Sequence, residues 1–116
     1  MMEIFYTIVI LFLLDLLYFS LRIVDYNATV SSIQGSKISG KPIGLLAYIV
    51  MAYCVVYIAK TPQESAILGF VVYSIFNLTN LYMFTNWDIY TATMDTLWGV
   101  SLFYLTKLLI SKFTLL

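Results

Sequence analysis

Four residues of this 116-residue chain are of types that do chemistry and sit where polar groups are costly: Asp15, Asn77, Asn80 and Asp95. Each lies inside a run apolar enough to cross a bilayer, where an acidic side chain costs about 2.5–3.5 kcal/mol even by insertion scales. Something must therefore face them. The partner that stands out for Asn77, Asn80 and Asp95 is Asp15, the other acid deep within an apolar run. Tyr73 precedes Asn77 by one helical turn and shares its face. Two carboxylates and two amides allow several kinds of chemistry. They can form a clasp between helices, each bond contributing ~0.6–2 kcal/mol. They can hold a proton or cation on a transport path. They can offer oxygens to Mg²⁺ or Ca²⁺, although hard cations keep their waters, and no metal site is expected. Two acids close together in a low-dielectric site do not both ionise readily. At least one is expected to carry a proton and donate it to an asparagine carbonyl or to its partner.

Catalysis finds little support. The sequence has no histidine, so a His-dependent triad cannot be built within one chain. Ser74 and Ser101 have no base to activate them. Leu14-Asp15-Leu16 and Met94-Asp95-Thr96 lack the Tyr-Asp and Gly-x-Gly-Asp contexts of intramembrane aspartic proteases. A non-enzyme without cofactors is expected. The single cysteine, Cys54, reads as a small apolar filler.

The elements that position these residues follow from composition. At 62% hydrophobic and 10% charged, with a mean hydropathy of +0.95, the chain lies far from the globular norm of about 25% charged residues. Six basic and six acidic residues cancel, and no basic run offers a track for nucleic acid, which is set aside as a partner. An all-α, four-helix transmembrane bundle with both termini on one side is expected. It forms one domain over residues 1–116, with spans near 3–24, 43–60, 62–84 and 89–110. A signal peptide is the competing reading of the first span. Glu3 instead of lysines, the length of the run and the lack of a small-x-small site weigh against it.

Loop 25–41 carries Tyr26, Val30 and Ile33 at helical spacing, so a short interfacial helix ending at Gly35 is possible. Pro42 opens the second span. Thr61-Pro62-Gln63-Glu64 has the spacing of a capping box, so spans two and three are expected as a tight antiparallel hairpin. Gly69, Tyr73, Asn77, Asn80 and Phe84 form one stripe on span three. Trp87, between Tyr82 and Tyr90, reads as an interfacial belt. Counting ~1.5 Å per residue places Asp15 at ~18 Å depth, Asn77 and Asn80 at ~21 and ~25 Å, and Asp95 near ~22 Å. All four then share one level.

Asp15 in the first span, Tyr73 through Asn80 including Thr79, Trp87 in the next turn, and Asp95-x-x-Trp98-Gly99 together resemble a family of small membrane proteins, the domain-of-unknown-function family twenty-one seventy-seven. The order and spacing cover essentially the whole chain. Asn77 departs from the pattern, where the family often has aspartate, and Tyr18 replaces a common tryptophan. The resemblance implies a four-span architecture and no particular activity. It also implies occurrence in bacteria and in large DNA viruses with internal membranes.

The expectation is thus an integral protein of a cellular membrane or a virion's internal membrane. Its role is structural, with the lipid bilayer, other membrane or capsid proteins, or its own copies as partners. The alternative is an oligomeric proton- or cation-coupled carrier built on Asp15 and Asp95. Basic residues divide evenly between the two faces, leaving orientation open.

Overall fold

A computed structural model describes residues 2–114, and among them the chain is all-helical. The first apolar run forms α1 (Met2–Leu21). It stops short of Val24 because Arg22 takes a left-handed backbone, φ 54°, which no α-helix continues through. Asp25 then caps α2 (Tyr26–Gln34), its carboxylate accepting from the Ala28 amide at 3.0 Å. Gly35, at φ 78°, closes α2 by returning its amide to the Ser31 carbonyl at 2.9 Å. No α2 residue is buried, yet the helix is more than an interfacial flap. Asn86 donates to the Ser32 carbonyl at 3.0 Å, and Tyr26 reaches into the centre of the molecule.

The second apolar run is a composite rod. A 3-10 turn (Pro42–Leu45) leads into α3 (Leu46–Tyr53), which widens into a π turn (Cys54–Ile58) closed by the Ala59 amide on the Cys54 carbonyl at 3.0 Å. Across the short link, Thr61 caps α4 (Pro62–Met83). The Glu64 amide donates to the Thr61 hydroxyl at 3.1 Å, and the Glu64 carboxylate accepts from the Lys60 amide at 2.8 Å. The reciprocal box is thus present, with the glutamate reaching one residue beyond the cap. Thr61→Ala is expected to cost about 1 kcal/mol. Thermal unfolding of the detergent-solubilised chain measures it; an unchanged midpoint would remove the cap from this account.

Asp88 caps α5 (Ile89–Thr114) by accepting from the Thr91 hydroxyl and, at 3.3 Å, from the Thr91 amide. The Thr91 hydroxyl is the main cause that holds the Asp88 carboxyl below its ordinary value. A lowered folded pKa means the cap's contribution is complete above the unfolded value and fades as pH falls through the folded one.

α4 and α5 pack along their length, and α1 packs against α3 and α5. The tight hairpin expected of the second and third spans is absent. The composite rod meets α4 at the π turn, and from there the two helices diverge. The reason lies on α4, whose Ser65, Gly69 and Asn77 are turned toward α5 and buried there. The Ser65 hydroxyl donates to the Phe103 carbonyl at 2.8 Å. A Cβ on Gly69 would overlap the Gly99 carbonyl, and one on Gly99 would overlap the Tyr73 ring. Ser65-x-x-x-Gly69 is therefore the small-residue pair that lets the backbones approach.

Beside an apolar core of Leu11, Ala52, Val55, Leu102, Phe103 and Ile110, polar side chains are buried and many large apolar ones face outward. Thr7, Asp15, Ser65, Asn77, Asn80, Thr91, Asp95 and Thr106 are buried, whereas Phe5, Leu13, Leu17, Ile67, Phe70, Ile75 and Leu78 are exposed. α1 and α4 are each long and apolar enough to cross a membrane. α5 is long enough but is interrupted by Asp95 and Lys107, and the rod Pro42–Ile58 is shorter.

Candidate functional site

Asp15 and Asp95 are both buried, 6% and 8% exposed, but they do not hydrogen-bond to each other. Each gathers its own donors, and the two sets follow one recipe: a phenol on one oxygen and an N–H on the other. On Asp15, Tyr48 donates its hydroxyl to Oδ2 at 2.7 Å and Trp98 its indole N–H to Oδ1 at 2.7 Å. On Asp95, Tyr26 donates its hydroxyl to Oδ1 at 2.8 Å and Asn77 its amide N–H to Oδ2 at 2.7 Å. The first centre joins α1, α3 and α5; the second joins α5, α4 and α2.

The centres communicate through a ring stack. Tyr18 lies one helical turn beyond Asp15, and its ring stacks on Trp98 with centroids 4.6 Å apart and planes within 4°. Its hydroxyl is 3.0 Å from that of Tyr26. Because Tyr26 has one hydroxyl hydrogen and spends it on Asp95, Tyr18 must be the donor in that pair. A hydrogen-bonded line therefore runs Tyr18, Tyr26, Asp95, Asn77.

Asn77 is the hub. Its amide nitrogen also donates to the Tyr73 carbonyl at 2.8 Å and approaches the Thr96 hydroxyl at 3.3 Å, while its carbonyl accepts from the Trp87 indole at 3.1 Å. An indole N–H is donor-only, so Trp87 fixes which end of the amide faces which way and leaves the nitrogen for Asp95. One acid was expected to donate to an asparagine carbonyl or to the other acid. In the structure that carbonyl belongs to Trp87, and the carboxylate accepts.

The remaining predicted residues are placed as follows. Tyr73 lies over Gly99 with its hydroxyl 3.8 Å from the Met51 sulfur, packing instead of binding either acid. Asn80 is buried but its side chain makes no hydrogen bond among the described residues, and Thr79 is exposed. Trp87 is no interfacial belt: it is buried, edge-on to Phe76, and bound to Asn77. Trp98 and Gly99 are the acid's donor and the close-contact glycine.

No protein-family model, curated protein or solved structure matches this chain.

Tyr26 and Tyr48 escaped the reading of the sequence as donors, while Tyr18 follows Asp15 by one turn on about the same face without a partner being legible for it. Ten tyrosines share no spacing that marks Tyr26 and Tyr48. Donor bookkeeping was the available signal: with no histidine and no cation in the apolar runs beside the acids, phenols and indoles are the donors left. Among the described residues no acidic or thiol cluster could hold a metal ion.

Beside Asp95 the divergence of α3 and α4 leaves a cavity of about 1390 Å³, roofed by α2. Its walls are mainly apolar, with Val50 and Met51 on one side and Val72 and Phe76 on the other.

Removing single donors tests the Asp15 centre. Trp98→Phe strips a charge-assisted bond and is expected to cost about 1.5–3 kcal/mol. Tyr48→Phe removes the matching bond on the other oxygen and should cost a similar amount. Chemical unfolding in micelles measures both, and equal, near-zero effects would mean that Asp15 finds water instead.

Proposed function

We propose that this chain is a non-enzymatic, integral membrane protein with a structural role, a four-span bundle whose two acidic centres are clasps. The observation that carries this reading is the bond census at the acids: in each, both carboxylate oxygens are taken by donors from other helices of the same chain. Together the two centres tie all five helices. The apolar exterior supports a lipid setting, since only 22% of the spanning window of α1 and 17% of that of α4 is buried, far less than in the core helix of a soluble domain. The resemblance to family twenty-one seventy-seven fits the same reading, for its motif residues Trp87, Trp98 and Gly99 make the contacts that hold the centres. The outer apolar faces are then available to neighbouring membrane or capsid proteins, or to further copies.

One observation favours the second reading, a proton- or cation-coupled carrier: Asp95 and Tyr26 line the cavity. The two readings separate in sealed vesicles. A clasp gives no acid-driven flux above protein-free vesicles, and Asp15→Asn with Asp95→Asn preserves the fold. That tolerance follows from the donors. Asn77 and Trp98 would still find an amide oxygen, while the tyrosine hydroxyls can rotate to accept from the new amide nitrogens. Flux that rises with a proton gradient and disappears in Asp95→Asn would overturn the structural reading.

A further inference from the structure

We infer that the cavity between α3 and α4 holds one acyl chain of a membrane phospholipid, with the lipid phosphate on Arg22. This rests on the membrane reading above.

Four features of the chain lead there. The residues facing the cavity from the two diverging helices are also open to the outside: Val50 is 63%, Val72 38% and Phe76 53% exposed. The cavity therefore opens sideways, toward whatever surrounds the bundle, which in a bilayer is hydrocarbon. The walls between α3 and α4 are apolar; the acidic and basic side chains on the lining are Arg22 and Asp25 at the α1–α2 junction and Asp95 at the inner end, where Tyr26 and Asn77 already hold it. The Arg22 amide donates to the Phe19 carbonyl at 3.3 Å, but its guanidinium has no hydrogen-bonding or ionic partner among the described residues. Its left-handed backbone, φ 54°, is one that a residue with a side chain rarely adopts, and Arg22 lies on the cavity lining. Asp25, nearby on the same lining, forms no ion pair with it; one of its carboxylate oxygens caps α2 through the Ala28 amide.

An apolar slot entered from the side with a free guanidinium at one end has the chemistry of a phospholipid site: chain in the slot, phosphate diester on the fork of N–H donors. A transmembrane helix of a partner protein fits less well, because α2 roofs the end through which its chain would have to continue. The cavity volume, about 1390 Å³, exceeds the usual small-ligand pocket of about 300–1,000 Å³ and leaves room for a long flexible chain.

Trp87 lines this cavity and Trp98 does not, which supplies a reporter. Trp98→Phe leaves Trp87 as the single tryptophan of the full chain. Reconstituted into vesicles of phosphatidylcholine brominated along its acyl chains, Trp87 fluorescence should fall at least about twofold relative to unbrominated vesicles, although the ring is 7% exposed. Filling the slot from both walls with Ala47→Phe and Val72→Phe should restore the emission. Arg22→Gln should lower by about tenfold the phospholipid that stays with the purified protein in native mass spectra. Unquenched Trp87, or quenching untouched by the filled slot, overturns the proposal. So does retention of a free fatty acid or of a second chain in place of phospholipid. Should the filled variant fail to fold, quenching of Trp87 in the parent and the Arg22→Gln mass spectra still decide. If the chain is released from membranes by alkaline carbonate, the membrane reading fails; if it stays but Trp87 is unquenched, this inference alone fails.

Discussion

Asn77→Leu is expected to lower the stability of the bundle by about 3–5 kcal/mol, the largest effect of any single substitution in the polar centres. Leucine matches the shape of asparagine closely enough that no large void opens, so the loss is one of hydrogen bonds. The Trp87 indole, buried at 7% exposure, would have no acceptor, and one oxygen of Asp95 would lose its short N–H donor. A buried unpaired donor costs about 1–3 kcal/mol and a buried acid stripped of its partner costs more. Asn77→Asp separates chemistry from packing. Its oxygens still accept from Trp87, and a carboxyl proton shared with Asp95 replaces the amide hydrogen, so it should cost less than leucine at low pH and lose that advantage as pH rises and both acids ionise. Unfolding in mixed micelles at several pH values measures this. A leucine variant as stable as the parent would show that water, not Asn77, satisfies Asp95 and Trp87.

Gly99→Ala is expected to cost about 1–3 kcal/mol and to loosen α4 from α5. The added methyl meets the Tyr73 ring at its root, the Cγ and its neighbours, not at a mobile tip. Relief therefore requires the whole ring to rotate or the helices to part. The cause is local and checkable by a double-mutant cycle: Tyr73→Ala, which removes the Cγ and everything beyond it, should remove most of the Gly99→Ala penalty. Gly69→Ala should show no such rescue, because its methyl would meet the backbone carbonyl of Gly99, which no side-chain change removes. If Gly99→Ala costs the same with and without Tyr73, the ring is not what it strikes.

Much of this molecule was legible in its chain because the signals were local. Thr61-Pro62-Gln63-Glu64 specifies its own cap within one turn, and Gly35 ends α2 where its spacing placed the end, while the Asp25 cap at its start was found only in the structure. The long apolar runs dictate helices, and acids and amides within them demand burial wherever the helices pack. Asp15, Asn77, Asn80 and Asp95 are accordingly all buried.

What the tertiary structure decided is who meets whom. Depth along a helix is additive in residue number, but the direction a side chain faces depends on how the helices rotate and diverge. Four polar groups expected at one site therefore became two centres joined by a stacked ring pair, with Asn80 left aside. Tyr26 and Trp87, both read as interfacial, turned inward because a buried carboxylate and a buried amide needed donors that no nearer residue supplied. The π turn at the foot of the rod and the Ser65–Gly69 approach to α5 parted α3 from α4, opening a cavity where a tight hairpin was expected. Composition and spacing settle which groups must be satisfied; the satisfying partner is fixed by packing, since contacts between residues tens of positions apart leave no trace in local pattern.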